Sequence, residues 1–102
     1  MNRMITRVVR MTFLADKVEE FLVVFNSAKD KIRSFPGCIS MELLNDINQP
    51  SVYVTISLWK SEEDLENYRN SELFKNTWSR TKALFAEKAQ AFSLRSVDRA
   101  EN

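Results

Sequence analysis

The stretch SVYVTISLW, residues 51–59, is the clearest strand in the chain and decides the fold. Most of its residues are β-branched or aromatic, which is typical of strands. Strand alternation divides its residues into two sets, Val52, Val54, Ile56 and Leu58 on one face and Tyr53, Thr55, Ser57 and Trp59 on the other. Because bulky or β-branched side chains occupy both faces, we expect both faces of its sheet to be covered.

The residues before this strand predict a strand and a helix. Residues 4–13 (MITRVVRMTF) alternate imperfectly between apolar and polar side chains, which indicates a first strand. Asp16 and Glu19 form a capping-box-like pair, and apolar residues then follow helical spacing from Val18 to Ile32. The sequence Phe35-Pro36-Gly37 is expected to end this helix.

The rest of the chain completes an alternation of strands and helices. The predicted elements are a strand at 38–46, a turn at 48–50, the strand at 51–59, a short helix capped by Ser61, an interruption at Asn70 and Ser71, a longer helix to about Ala89 and a strand at 91–97. The order is β-α-β-β-α-β, an α+β ferredoxin-like plan with a four-stranded antiparallel sheet. We expect one domain over residues 1–102, with its core at about 4–97.

In this plan the helices cover only one face of the sheet. A second copy of the chain, packed sheet to sheet, would cover the other face, so the pattern predicts a two-fold homodimer. The alternative is a monomer with a semi-polar outer face, to which Thr55, Ser57, Arg7 and Glu42 would contribute.

Composition excludes several classes of protein. The 15 basic and 14 acidic residues are scattered and give a net charge of +1, which argues against nucleic-acid binding. The chain has no histidine, so a Ser-His-Asp triad is impossible. A single cysteine, Cys38, rules out an internal disulfide and favours a reducing cytoplasm. The arginine-interrupted N-terminus and the absence of a long apolar stretch predict neither a signal peptide nor a membrane span.

The PGC turn at residues 36–38, the tryptophan that ends the third strand and the acidic helix after it resemble the antibiotic biosynthesis monooxygenase family. This family is also described as quinol monooxygenase-like dimeric α+β barrels. Its pattern falls on Pro36, Gly37, Trp59, Glu63, Ser71 and Phe74, within a likeness that spans residues 4–94. The resemblance implies a homodimer with a pocket between sheet and helices, and oxidation of hydroquinones, anthrones or related polyketides by O₂ without flavin, haem or metal.

The resemblance also implies roles for individual side chains. Four aromatic residues would bind the substrate, with one side in the core and the other on the cavity wall: Trp59, Tyr68, Phe74 and Trp78. Arg80 is the candidate for anion stabilisation, and Thr55 or Tyr53 the candidate for hydrogen bonding to the substrate. In the polyketide-oxidising branch an asparagine stands at the position of Thr55. A solvated helix arginine is the alternative reading of Arg80.

A haem-degrading branch of the family is disfavoured. Its tryptophan and its iron-ligating histidine match Tyr68 and Trp78, and the asparagine expected near Val8 is missing. We therefore expect no cofactor. The leading hypothesis is a cofactor-independent monooxygenase, and the alternative is a non-catalytic homodimer that binds a small hydrophobic molecule. A cavity of a few hundred Å³ with Arg80 or Tyr53 pointing inward would favour the enzyme.

Overall fold

The computed structural model describes residues 3–101, which form one four-stranded sheet and three α-helices. The elements are β1 (Ile5–Thr12), α1 (Val18–Arg33), β2 (Cys38–Asn45), β3 (Val52–Trp59), α2 (Glu62–Arg69), α3 (Glu72–Lys82) and β4 (Gln90–Leu94). This order confirms the predicted β-α-β-β-α-β plan, with the second helical region divided into α2 and α3. Residues 1, 2 and 102, which the predicted domain includes, lie outside the described residues.

The sheet is antiparallel throughout, with strand order β2-β3-β1-β4. In the central pair Val8 lies opposite Ile56, and Arg7 lies opposite Ser57. Because side chains directly opposite each other share a face, each such pair extends a row of side chains across the sheet. Residues of β1 and β3 that lie opposite each other therefore point to the same side of the sheet, either toward the helices or away from them.

The start of α1 differs from the prediction. Asp16 lies in a 3-10 turn, Ala15–Lys17, that precedes the helix, and Lys17 occupies the N-cap position without a side-chain hydrogen bond. The turn is closed by the Lys17 N–H, which donates to the carbonyl of Leu14 at 2.9 Å. The predicted cap at Asp16 was therefore wrong, because the tighter turn satisfies the backbone at this end. The apolar stripe is present, with Phe21, Val24, Ala28 and Ile32 buried.

Gly37 connects α1 to β2 in a conformation that other residues rarely adopt. Its φ is +90°, and a Cβ at this position would collide with the side chain of Asp64 in α2. The Gly37 carbonyl accepts a hydrogen bond from the Lys60 N–H at 2.9 Å. The chain's single glycine thus allows the α1–β2 turn to pack directly against the start of α2.

Serine side chains start both pieces of the second helical region. Ser61 Oγ accepts a hydrogen bond from the Asp64 N–H at 3.1 Å, which confirms the predicted cap. Ser71 Oγ accepts from the Phe74 N–H at 3.1 Å and donates to the Tyr68 carbonyl at 2.6 Å. The predicted interruption at Asn70 and Ser71 is therefore present and is held by two hydrogen bonds of the Ser71 side chain. These bonds orient Tyr68 and Phe74 relative to each other.

Helix α3 ends at Lys82, earlier than the predicted end near Ala89. The chain leaves the helix because its backbone pairs with the end of β1: the Leu14 N–H donates to the Leu84 carbonyl at 3.0 Å, and the Ala86 N–H donates to the Thr12 carbonyl at 2.8 Å. Strand β4 covers Gln90–Leu94, which is shorter at its end than the predicted strand at 91–97.

The two faces of the sheet differ in what covers them. The covered face, which the helices pack against, carries Arg7, Thr55 and Ser57. The interpretation that placed these three residues on a semi-polar outer face was wrong, because strand alternation puts them on the side of Trp59. The open face carries polar side chains, among them Thr6, Arg10, Ser40, Glu42 and Gln90, together with a set of apolar ones: Val8, Leu44, Val54, Ile56, Leu58, Phe92 and Leu94.

Candidate functional site

A cavity of about 310 Å³ lies between the covered face and the helices. Its wall includes residues from two separate parts of the core, one containing Met11 and Phe21 and the other containing Trp59 and Leu65. A cavity of this size, largely apolar and with a few polar groups, is typical of small-molecule sites. The core of this small protein therefore also forms the wall of a cavity.

The four predicted substrate-binding residues all line this cavity, and their rings touch in sequence. Trp59 and Tyr68 are stacked with ring centroids 4.9 Å apart, and Tyr68 meets Phe74 edge to face at 5.2 Å. Phe74 and Trp78 are stacked at 5.8 Å. These distances fall within the preferred range for aromatic pairs, so the rings form a continuous aromatic wall.

Trp59 is the anchor of this aromatic wall. Its side chain is completely buried, and its indole N–H donates a hydrogen bond to Ser57 Oγ at 2.9 Å. Because a buried indole N–H without a partner would be costly, Ser57 fixes the position of the ring. Both side chains face the cavity, so the same contact stabilises the core and shapes the site.

Tyr68 presents a neutral phenol to the cavity. Burial raises the pKa of Tyr68 above its ordinary range, and the nearby Cys38 adds to this effect. Its hydroxyl makes no hydrogen bond to any residue within 3–101. The group therefore stays protonated at neutral pH and can donate a hydrogen bond to a ligand.

The structure separates the three predicted catalytic residues. Thr55 lines the cavity, and its hydroxyl has no hydrogen-bond partner in the described part of the chain. Tyr53 lies on the same face of β3 but is not part of the wall, since its ring packs against Phe21 at 5.4 Å and Phe13 at 6.1 Å.

Arg80 is exposed on α3 and is not part of the cavity wall either. Thr77, Trp78 and Thr81 from the same helix do line the cavity. Successive helical residues are rotated by about 100°, so Arg80 points roughly opposite to Trp78. The structure thus places Arg80 as expected for a solvated helix arginine. Of the two features expected to favour an enzyme, the cavity is present, but neither Arg80 nor Tyr53 points into it.

Two other arginines, Arg7 and Arg69, line the cavity. Arg7 Nη1 donates a hydrogen bond to Ser93 Oγ at 2.9 Å, and Arg69 Nη1 lies 3.4 Å from Glu66 Oε2. Burial lowers the pKa of Arg7, the positive charge of Arg69 lowers it further, and Glu66 opposes both effects. Sequence reasoning missed both residues. Alternation along β1 was the available signal, because Arg7 shares a face with Val9.

The described residues do not form a recognisable metal centre. Within residues 3–101, no three potential metal ligands among Cys, Asp and Glu come together. Cys38 is buried and is not part of the cavity wall, and burial raises the pKa of its thiol. Over the same range, no helix has both the length and the apolar character needed to cross a bilayer.

The sequence matches a family model described as antibiotic biosynthesis monooxygenase over residues 4–79. The chain belongs to the antibiotic biosynthesis monooxygenase family. This match covers most of the chain and includes β1, α1, β2, β3, α2 and most of α3. It confirms the resemblance drawn from the PGC turn, Trp59 and the acidic helix.

Solved structures with the same fold include other proteins of the antibiotic biosynthesis monooxygenase type. A conserved protein from Methanosarcina mazei Go1 is 20% identical, with a TM-score of 0.88 over 92% of this chain and 93% of that chain. A variant of SnoaB, a cofactor-independent oxygenase from Streptomyces nogalater, is 19% identical, with a TM-score of 0.87 over 98% and 99%. A third structure, named antibiotic biosynthesis monooxygenase, is 17% identical, with a TM-score of 0.86 over 92% and 99%.

These likenesses extend over nearly the whole of each chain, so they establish the fold of this family member. At these identities they do not extend to substrates or to individual site residues. Among curated protein sequences, none matches this chain.

Proposed function

We propose that this chain is a cofactor-independent monooxygenase that oxidises a small aromatic, quinol or polyketide-like molecule with O₂. The observation that carries the proposal is the aromatic-walled cavity of about 310 Å³ between sheet and helices. Family membership supports the reaction class, and SnoaB, which shares the fold, is itself a cofactor-independent oxygenase. Substrate identity and the use of O₂ are part of the proposal.

The reaction requires little chemistry from the protein when the substrate is electron-rich. For a substrate with an activated CH₂ group beside aryl rings, the acidic proton leaves and the anion passes one electron to O₂. The radical pair combines to form a C–O bond, the peroxide anion takes the proton back, and the resulting hydroperoxide loses water to leave a carbonyl. One oxygen atom enters the product, the other leaves as water, and the substrate supplies every electron. The protein must hold the ring, favour the anion and exclude water.

The cavity has groups suited to these tasks. The stacked pairs Trp59–Tyr68 and Phe74–Trp78 offer flat surfaces for an aromatic ring. The hydroxyls of Thr55 and Tyr68, which have no partners within residues 3–101, can hydrogen bond to oxygen atoms of the substrate. We assign substrate contact to Tyr68, Phe74 and Trp78 and hydrogen bonding to Thr55. Trp59 is completely buried, so we assign it the support of the Tyr68 ring, and we assign no direct role to Tyr53.

The same proposal includes a homodimer formed through the open face of the sheet. Phe92 and Leu94 are each about half exposed, and Leu44 and Ile56 are more than a third exposed. An apolar surface of this kind on a sheet indicates an interface. Packing two open faces together would bury these side chains and leave both cavities on the outer, helical sides.

Oxygen uptake by the purified protein tests the reaction. The substrates are a panel of hydroquinones and anthrones, with a chelator present to remove adventitious metal. We expect uptake above the autoxidation rate, at least tenfold lower in Trp78→Ala and unchanged in Val23→Ala, which alters an exposed apolar residue of α1. Circular dichroism verifies that both variants fold.

Uptake that equals autoxidation across the panel would contradict the oxygenase and favour the alternative, a non-catalytic homodimer that binds a small hydrophobic molecule. Equal uptake by the wild type and Trp78→Ala would instead place the reaction outside this cavity. A third variant, Thr55→Val, removes one hydroxyl with little change in shape. It is expected to lower uptake less than Trp78→Ala does, because it removes one hydrogen bond from the substrate.

A further inference from the structure

A row of three polar side chains crosses the covered face beneath the cavity. Arg7 on β1 lies directly opposite Ser57 on β3 and directly opposite Ser93 on β4. Arg7 and Ser57 line the cavity, and Ser93 holds the Arg7 guanidinium through the 2.9 Å hydrogen bond. This polar row, Ser57-Arg7-Ser93, is unusual on the side of a sheet that packs against helices, where apolar residues normally lie.

Two residues of the polar row, Arg7 and Ser57, have hydrogen-bond donors that no described residue accepts from. An arginine has five N–H donors, and Arg7 uses one of its nitrogens, Nη1, in its hydrogen bond to Ser93. Ser57 Oγ accepts a hydrogen bond from the Trp59 indole, and its own hydroxyl proton has no acceptor within residues 3–101. Both groups can therefore donate to an acceptor in the cavity.

A second cation, Arg69, stands at the same cavity from the helical side. Its one carboxylate partner, Glu66, is exposed and is not part of the wall. Among the described residues, the wall contains two arginines and no carboxylate. Positive charge in the cavity thus exceeds negative charge, although the whole chain is nearly neutral at +1.

We propose that the cavity binds its aromatic ligand through an anionic oxygen, a carboxylate or a phenolate, held by Arg7 of the polar row and by Arg69. This assignment rests on the proposed function and deepens it, because it specifies the class of substrate: aromatic molecules that carry an acidic group. An anion between the two guanidinium groups forms charge-assisted hydrogen bonds and offsets their mutual repulsion.

The absence of a base in the wall points to the same class of substrate. The chain has no histidine, and the wall has no aspartate or glutamate among the described residues. The cavity can therefore stabilise an anion but has no ordinary side-chain base to create one. A phenolic substrate solves this problem, because it arrives as the phenolate or loses its proton to water beside Arg7.

Calorimetric titration of the intact protein with two matched probes tests the assignment without any oxidation. The probes are 2-naphthoate and 2-naphthamide, which have the same rings and nearly the same shape but differ in charge. We expect the wild type to bind naphthoate at least tenfold more tightly than naphthamide. Arg7→Gln should remove most of this preference and leave the affinity for naphthamide unchanged, and Arg69→Gln should remove a smaller part because its side chain is more exposed.

Arg80→Gln is the matched control, because it removes the same charge from a residue of α3 that is not part of the cavity wall. If Arg80→Gln abolishes the preference, or if Arg7→Gln retains it, the assignment is overturned. A wild type with no preference, whether it binds both probes equally or binds neither, also overturns it. Loss of naphthamide binding in Arg7→Gln would also count against the assignment. It would indicate that Arg7 maintains the shape of the cavity and does not act only on the charge of the ligand.

A third probe, 4-nitrophenol, distinguishes the two sources of the anionic oxygen. Its phenolate absorbs visible light and its neutral form does not, so its pKa can be measured on the protein. A lower pKa of the bound probe in the wild type than in Arg7→Gln identifies a phenolate as an acceptable ligand, and an equal pKa restricts the site to carboxylates. Because none of these titrations needs O₂, they can succeed while the oxygen-uptake test fails, and the two failures remain distinguishable.

Discussion

The two faces of the sheet depart from the usual pattern in opposite ways: polar side chains interrupt the covered face, and apolar side chains cluster on the open face. Antiparallel sheets commonly bury an apolar face and expose a polar one. Here the covered face carries the polar row Ser57-Arg7-Ser93, and the open face carries Ile56 and Phe92 beside charged residues such as Glu42. Polarity alone would therefore not distinguish the outside of the molecule from the side that the helices cover.

These differences suit the two faces to the two different partners that we propose. Polar groups on the covered face lie beside a cavity, where a ligand can use their hydrogen-bonding capacity. Apolar groups on the open face lie where no other part of the described chain covers them, and a second copy of the chain is the partner that we propose. The comparison separates a binding side from an assembly side, and each can be tested alone.

The largest effect is expected from a charge on the assembly side. Ile56→Asp places a second carboxylate directly opposite Glu42 at the centre of the open face, so the proposed dimer would have to bury two like charges side by side. We expect dimerisation to weaken at least a hundredfold, an effect of about 3 kcal/mol. Sedimentation velocity should show a shift from the dimer to a species near the chain mass of 11.9 kDa.

Val23→Asp is the matched control, because Val23 is an apolar residue of α1 that is 66% exposed on the other side of the molecule. It should leave the dimer intact. A wild type that sediments as a monomer would contradict the proposed homodimer. An Ile56→Asp variant that remains dimeric would show that the open face is not the interface.

A smaller effect is expected on the binding side, at the contact between Ser57 and Trp59. Ser57→Ala leaves the buried indole N–H without its acceptor, which should lower the free energy of unfolding by about 1–3 kcal/mol. Ser93→Ala, at the exposed end of the same polar row, should cost less than about 0.5 kcal/mol. Urea denaturation followed by tryptophan fluorescence measures both. Equal losses would show that Ser57 does not position the ring.

The smallest effect at neutral pH is expected from Tyr68→Phe, because the hydroxyl has no partner among residues 3–101 and its loss should change the unfolding free energy by less than about 0.5 kcal/mol. At alkaline pH the raised pKa of Tyr68 determines the direction in which stability changes. Burial raises the pKa of Tyr68 in the folded state, so the unfolded chain loses this proton first and stability falls as pH rises above about 10.

The measurement is the free energy of unfolding of the wild type and of Tyr68→Phe from pH 7 to alkaline values. The wild type should lose stability relative to the variant only above pH ~10, since the two chains differ in this one ionisable group. Parallel pH profiles would mean that Tyr68 is as exposed to solvent as in the unfolded chain, and the cavity would then be more open than its aromatic wall indicates.

Most of the fold could be predicted from local signals. The alternation in residues 51–59 identified β3, and the serines at 61 and 71 identified the breaks around α2 and α3. The early end of α3 could not be predicted in this way, because it depends on pairing between residues 84–86 and the distant end of β1. Helical periodicity describes only neighbouring residues, so it does not indicate a long-range backbone contact of this kind.

The aromatic part of the site could be predicted, but its charged part could not. Trp59 and Trp78 were identified through the family resemblance, and large rings have few other places to lie in a small protein. Arg80 was chosen by approximate alignment, and a one-residue difference in helical phase is enough to turn a side chain away from a cavity. Arg7 was missed because it was assigned to the outer face, although alternation along β1 places it on the same face as Val9.

The aromatic wall also limits how this protein can change over evolutionary time. Removing a large ring such as Phe74 would enlarge the cavity for a bulkier substrate, but truncating a large aromatic residue in a core typically costs about 3–5 kcal/mol. Small domains have only about 5–15 kcal/mol of total stability. A shift in substrate range would therefore need a stabilising substitution elsewhere to come first, and the binding site can diversify only as fast as the rest of the chain can compensate.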